Sequence, residues 1–209
     1  MSVESPNMAS SSPPLIVIGA SAGGPAALAT ILQDLGSPFP GALVIVQHVD
    51  ARFADDMAMW LSTQSPIPVR MAREGDRPVL GEALLAGSSD HLVFTGSSAL
   101  GYVAEPRETH HRPSIDVFFE SVCHHWRGTV VGVLLTGMGS DGAAGLRRLR
   151  DRGVPTIAQD CESSVVYGMP KAAAELDAAS EILPLAAIGT RLVTLTRRAS
   201  GAFGGMAYD

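Results

Sequence analysis

Apolar residues along the chain fall into short continuous runs that alternate with longer amphipathic stretches. Continuous runs are typical of strands buried on both faces of a parallel sheet. The alternation of such strands with helices predicts an α/β domain with a doubly wound, mostly parallel sheet, Rossmann-like, with helices on both faces. The predicted strands are 15–18, 42–47, 129–135 and 155–158, and the predicted helices are 25–35, 53–61, 114–126, 143–152 and 187–196.

Residues 66–105 show a different pattern, in which short alternating segments are separated by Gly, Ser and Asp. This pattern predicts a strand-rich, hairpin-containing segment within the domain. Residues 1–14 are rich in Ser and Pro and are expected to be a disordered lead-in. The sequence therefore predicts one domain over 15–197, with a flexible tail over 198–209.

Composition excludes several classes of function. The chain of 209 residues has a formal net charge of −6 and no cluster of Lys and Arg, which argues against binding to nucleic acid. It has neither an export signal nor an apolar run of the ~18 residues that would predict insertion into a membrane, so a cytoplasmic location is expected. The two cysteines, Cys123 and Cys161, form no metal-ligand pattern, and neither a metal nor another cofactor is predicted.

Nucleophilic or ionisable residues follow three of the predicted strands. Ser21 follows the first strand, His48 the second, and Asp141 follows the strand at 129–135. In an open α/β sheet, ligands bind outside the carboxyl ends of the strands. These three residues are therefore the first candidates for a functional site.

Ser21 lies in a turn of small residues that leads into a helix with Pro25 near its start. The unpaired N–H groups at a helix N-terminus suit a serine nucleophile whose attack creates an oxyanion, but they also suit a bound phosphate or a plain tight turn. A dinucleotide site would favour an acidic residue near the end of the second strand. That strand ends in Gln47 and His48 instead, which favours catalysis over nucleotide binding.

His48 and Asp141 each allow two interpretations. A histidine at a strand end beside a nucleophile has a suitable intrinsic pKa for a general base, but an isolated histidine is often structural. Asp141 follows a glycine-rich turn and precedes a helix, so it is either a cap of that helix or the acid that orients the histidine. Asp160, which follows the strand at 155–158, is the rival acid.

Five segments of the sequence resemble the bacterial chemotaxis protein-glutamate methylesterases, the CheB family. They read Ile-Gly-Ala-Ser-Ala-Gly-Gly-Pro, Gln-His, His-Arg-Pro-Ser-Ile-Asp-Val, Leu-Thr-Gly-Met-Gly-Ser-Asp-Gly-Ala and Ala-Gln-Asp-Cys-Glu-Ser-Ser-Val-Val-Tyr-Gly-Met-Pro, and they begin at residues 18, 47, 111, 135 and 158. They occur in the same order as in that family, and the resemblance covers about residues 15–193.

The resemblance implies a Ser-His-Asp triad formed by Ser21, His48 and Asp141. It further implies an oxyanion hole at the backbone N–H groups near Ala22 and Met138. The family segment matched by residues 163–170 lies near the site, so the side chains predicted to line the substrate are Ser163, Ser164 and Tyr167.

The implied reaction is hydrolysis of glutamyl methyl esters on methyl-accepting chemotaxis receptors, or on related signalling-array proteins, and it includes deamidation of receptor glutamines. The alternatives are a catalytically silent receptor-docking module and a domain that binds an anion or nucleotide through the turn at 19–24.

Two departures from the family pattern are local. Ala22 stands where the family often has Thr, and Ala86 to Leu92 differ from the usual loop before a His-Leu pair. A third concerns domains, because family members commonly carry an N-terminal receiver domain of on the order of a hundred residues. Only residues 1–14 precede the first predicted strand, so no receiver domain is expected in this sequence.

Overall fold

The computed structural model describes residues 12–96 and 98–204, with side chains described to residue 199. Within these residues, seven strands form a single parallel sheet: β1 (Leu15–Ala20), β2 (Ala42–Gln47), β3 (Val69–Met71), β4 (Ala83–Leu85), β7 (Val130–Leu134), β8 (Thr156–Gln159) and β9 (Glu181–Leu183). They lie in the order β3-β4-β2-β1-β7-β8-β9. The predicted doubly wound α/β fold is confirmed.

Helices cover both faces of the sheet because side chains along each strand point alternately to the two sides. On β1, Leu15 and Val17 pack into one apolar cluster and Ile16 and Ile18 into the other. One face carries α3 (Ile115–His125), α4 (Ala143–Asp151) and α5 (Met169–Glu175). The other face carries α1 (Gly24–Asp34), α2 (Ala51–Gln64) and α6 (Leu185–Gly204).

The segment at 66–105 holds less antiparallel structure than the sequence predicts. Its first two strands, β3 and β4, join the main sheet in parallel, and one hairpin forms between β5 (His91–Thr95) and β6 (Ala99–Val103). Helix α5 and strand β9 are not predicted by the sequence pattern. Helix α6 extends to Gly204, past its predicted end at residue 196.

The predictions for the two ends of the chain fall largely outside the residues that the structure describes. Residues 1–11 of the expected lead-in and 205–209 of the expected tail lie beyond the described residues. Over the described part of the chain, no helix combines the length and apolar character needed to cross a bilayer. Both cysteines are free thiols, with Cys123 buried and Cys161 exposed.

Candidate active site

The sheet brings the ends of its three central strands together. Ala20 at the end of β1 pairs with Gln47 at the end of β2, so Ser21 and His48 leave the sheet side by side. The His48 N–H donates to Ala20 O at 3.0 Å, and the Ser21 N–H donates to Thr136 O at 3.0 Å. Ser21 therefore lies between the segment that carries His48 and the loop that leads to Asp141.

His48 and Asp141 form a direct hydrogen bond. His48 Nε2 lies 2.8 Å from Asp141 Oδ2, and their side chains are only 10% and 12% exposed. The other ring nitrogen, Nδ1, is buried and has no hydrogen-bond partner among the described residues. An ionised carboxylate can only accept, so the ring proton belongs on Nε2 and Nδ1 carries a free lone pair.

The carboxylate of Asp141 also receives hydrogen bonds from the N-terminus of α3. It accepts from the backbone N–H groups of Ile115 (2.8 Å) and Asp116 (3.0 Å) and from the Ser114 hydroxyl (2.8 Å). Burial by itself would raise the pKa of Asp141, but the hydrogen bond from His48 and those from α3 lower that pKa to about 2. Asp141 is therefore ionised at neutral pH.

The expectation that Asp141 caps the helix that follows it is wrong, because the N-cap of α4 is Gly142 in a left-handed conformation. Asp141 instead binds the first turn of α3, which begins 26 residues earlier in the chain.

Helix α4 receives a similar contact in return. Asp116, in the first turn of α3, accepts a hydrogen bond of 2.7 Å from the Gly145 N–H in the first turn of α4. Burial raises the pKa of Asp116 to about 6, and the charge of Asp141 adds to the rise while the Gly145 N–H opposes it. We call this exchange, in which Asp141 binds α3 and Asp116 binds α4, the reciprocal cap.

Gln47 fixes the turn that carries Ser21. Its side-chain amide, in a residue that is 2% exposed, donates to Ser21 O (2.9 Å) and to His48 O (3.0 Å). The loop after β7 approaches Ser21 closely at Gly137, where an added Cβ would lie 2.7 Å from Ser21 Cβ and would meet the Met169 sulfur. Only glycine leaves room for this approach.

Two backbone N–H groups near Ser21 are available to a ligand. Within the described residues, neither the Ala22 N–H nor the Met138 N–H donates a hydrogen bond to the protein. Ala22 immediately precedes Gly23, the N-cap of α1, and the dipole of a helix favours negative charge near its N-terminus. The Met138 side chain is 76% exposed.

The predicted substrate-lining serines are engaged elsewhere. Ser163 donates its hydroxyl to Asp160 Oδ1 at 2.6 Å, and Ser164 donates to Asp160 O at 2.6 Å. These bonds shape the loop after β8 and also occupy the rival acid Asp160. Tyr167 forms an isolated parallel bridge with Gly137, and the exposed side chain of Val165 packs against Gly23 in the Ser21 turn.

Two further residues organise this region, and sequence reasoning gave neither of them a role in positioning the triad. Thr136 is fully buried, donates to Ala22 O at 2.9 Å and accepts from the Val166 N–H at 2.9 Å, so it links three loops. His111 stacks on His48, with ring centroids 4.2 Å apart and planes 16° apart. Both lie inside segments that carry the family resemblance, and that was the available signal.

The fold and the site together define a class of protein: a doubly wound α/β domain with Ser, His and Asp at the carboxyl edge of its sheet. A family model described as CheB methylesterase matches residues 16–192. The chain belongs to this family.

Individual relatives agree with the family match. The chain is 58% identical over 186 residues to protein-glutamate methylesterase/protein-glutamine glutaminase 2 of Burkholderia pseudomallei, covering 89% of this chain and 54% of the relative. It is 60% identical over 178 residues to protein-glutamate methylesterase/protein-glutamine glutaminase 1 of Bordetella avium, covering 85% and 52%. The chain therefore spans about half the length of the curated relatives it matches.

A solved structure matches most of the chain. The CheB methylesterase catalytic domain of Thermotoga maritima superposes with a TM-score of 0.84 at 32% identity, covering 88% of this chain and 99% of that one.

Proposed function

We propose that the chain is a cytoplasmic protein-glutamate methylesterase. Its substrates are glutamyl methyl esters on chemotaxis receptors or related signalling-array proteins, and its products are glutamate and methanol. The relatives' names also include protein-glutamine glutaminase, so we extend the proposal to glutamine side chains.

The proposed reaction is acyl transfer to water. His48 Nδ1 removes the hydroxyl proton of Ser21, and the Ser21 oxygen attacks the ester carbonyl. The N–H groups of Ala22 and Met138 stabilise the oxyanion. The His48 imidazolium, paired with Asp141, protonates the departing methoxide, and water then hydrolyses the acyl-enzyme by the reverse proton transfers. With an amide substrate the leaving group is ammonia.

One observation carries this proposal. The 2.8 Å bond from His48 Nε2 to an ionised Asp141 leaves the buried Nδ1 as an acceptor, next to the strand end that carries Ser21. A structural histidine would be expected to have both ring nitrogens satisfied, because an unpaired buried acceptor is costly.

The test measures methanol release from receptor membranes carrying methyl-labelled glutamates. Substituting Ser21→Ala should lower the rate by ~10⁴-fold or more, because the nucleophile is lost. Ser89→Ala, at an exposed serine in the loop before β5, is the matched control and should retain the parental rate.

Labelling with a serine-reactive phosphonate separates the possible failures. Labelling of the parent at Ser21 without methanol release would keep the nucleophile and reject the receptor ester as substrate. Absence of both would reject the esterase and favour a receptor-docking module, whereas tight binding of phosphate compounds without labelling would favour an anion-binding domain.

A further inference from the structure

The ring of His111 covers one face of the buried His48 imidazole. The two rings are nearly parallel, with centroids 4.2 Å apart, although His111 lies on an exposed loop between β6 and α3. Among the described residues, no other aromatic ring stacks on His48. The stacked ring of His111 therefore lies against one face of His48, the residue that carries the proposed base.

A second buried histidine holds the loop in place. His91, which is fully buried at the start of β5, accepts from the Ser114 N–H through Nδ1 at 3.0 Å. Its Nε2 therefore carries the proton and donates to Pro106 O at 3.0 Å. These two bonds hold the two ends of the loop that carries His111 next to His91.

The charge state of His111 suits this position. Burial lowers the pKa of His111, and the neighbouring His48 and His110 lower it further, whereas the charge of Asp141 opposes the shift. A neutral ring stacked on His48 does not repel it when His48 becomes cationic during proton transfer. The face of an aromatic ring attracts a cation at this distance.

We infer that His111 is a positioning residue, whose stacked ring keeps His48 Nε2 on Asp141 and His48 Nδ1 aimed at Ser21. It acts through its planar ring and not through a proton transfer of its own. The effect of His111 on catalysis rests on the proposed function. Its effect on the His48–Asp141 hydrogen bond does not depend on any substrate.

The first experiment follows that hydrogen bond directly. Proton NMR of the parent should show a low-field resonance from the His48 Nε2–H bound to Asp141. In His111→Ala the resonance should broaden and exchange faster with water, whereas in His111→Phe, which keeps a planar ring, it should persist. A resonance that is unchanged in His111→Ala would overturn the inference, whatever the protein's reaction.

The second experiment measures the rate of phosphonate labelling at Ser21 together with kcat and KM for the methylated receptor. His111→Ala should lower the labelling rate and kcat by about tenfold with KM changed less than about twofold, because a small displacement of a reacting group has a large effect on rate. His111→Phe should recover most of the loss. Glu108→Ala, at an exposed residue of the same loop, is the control and should match the parent.

The outcomes separate the two proposals. Parental rates in folded His111→Ala, or a His111→Phe variant as slow as His111→Ala, would overturn the positioning role and leave the esterase proposal intact. A parent that neither labels nor releases methanol would overturn the proposed function, and the NMR result alone would then decide whether His111 positions His48. Thermal unfolding verifies that each variant is folded.

Discussion

Asp141 has two roles at the scale of single residues, as the partner of His48 and as an acceptor for the first turn of α3. The contacts to α3 fix the carboxylate, and the carboxylate in turn fixes which nitrogen of His48 carries the proton. A group that sets a tautomer in this way contributes more to catalysis than its own distance from the nucleophile suggests.

We predict that Asp141→Asn lowers kcat by about 10³–10⁴-fold while the protein still folds. The amide is similar in shape, and an NH₂ group in place of Oδ2 would donate to His48 Nε2 and stabilise the tautomer with the proton on Nδ1, which cannot accept from Ser21. That NH₂ group would also face the Ile115 N–H, so the variant should unfold at a lower temperature than the parent. Methanol release and thermal unfolding measure the two effects separately. Loss of activity by less than tenfold would show that the carboxylate does not control the tautomer.

At the scale of elements, α3 and α4 begin side by side. The first turn of α3 binds Asp141, which lies just before α4, and the first turn of α4 binds Asp116, which lies in the first turn of α3. The reciprocal cap couples the start of α4, and with it the loop that carries Met138, to the His-Arg-Pro-Ser-Ile-Asp segment. It also holds two carboxylates near each other, and this raises the pKa of Asp116 in addition to the effect of burial.

Asp116 should give stability an unusual dependence on pH. Its pKa is about 6 in the folded protein against 3.8 in the unfolded chain, so its contribution is full below about pH 4 and is lost as the pH rises through about 6. We predict that Asp116→Asn, a neutral acceptor for the Gly145 N–H, is more stable than the parent at pH 8, on the order of 1 kcal/mol after allowance for solvent screening.

The measurement is the midpoint of thermal unfolding of both proteins at pH 8 and pH 4. The difference should disappear at pH 4, where Asp116 is protonated and Asp141, with a pKa of about 2, is still ionised. A lower midpoint for Asp116→Asn at pH 8 would mean that the start of α4 requires a charged acceptor.

The loop after β7 depends on the space at Gly137. We predict that Gly137→Ala lowers kcat by about 10²-fold, because the new Cβ would lie 2.7 Å from Ser21 Cβ and displace the nucleophile. Gly132→Ala, inside β7, is the matched control: its new Cβ would lie 2.9 Å from Leu149 of α4 in the core, so it should cost stability but leave kcat within about threefold. Equal losses of kcat in the two variants would attribute the effect to general destabilisation.

The strands and helices also show how much of the fold and of the site can be predicted from the sequence. Strand β2 has its predicted bounds because a central parallel strand is apolar on both faces and stands out as a continuous run. Strand β9 is three residues long with an exposed Ile182, and α5 has seven residues that begin with Met-Pro, so neither gives a periodic signal. The helix that a carboxylate caps can be distant in sequence, so local spacing does not identify it. The spacing suggested that Asp141 caps α4, whereas in the structure Asp141 binds α3.

At the scale of the whole molecule, the edge of the sheet that carries Ser21 also exposes large apolar side chains. Met138 and Val165 are 76% and 73% exposed, and both belong to loops that pack against the Ser21 turn. The proposed substrate is a side chain on the surface of another protein, so its neighbours must lie against this rim. Exposed apolar side chains beside a reactive group are typical of a contact surface.

We predict that Val165→Asp raises KM for the methylated receptor by about five- to tenfold, because a charge must then be buried when the substrate protein docks. The rate of phosphonate labelling should change less than about twofold, since the small reagent does not touch the rim. Leu80→Asp, at a residue 60% exposed next to the Pro-rich pocket at the opposite edge of the sheet, is the control. A KM unchanged in Val165→Asp would exclude this rim from docking.

The hydrogen bond from His48 Nε2 to Asp141 has a mechanical consequence. Nδ1, the nitrogen left for Ser21 in the proposed mechanism, is the one bonded to the ring carbon that joins the side chain. For a given angular swing about Cβ it moves less than Nε2 does, because it lies closer to the pivot. His48 directly follows β2, so the precision of the base comes from the backbone of a central strand. A change that loosens that strand would slow proton transfer before it weakened the binding of the substrate.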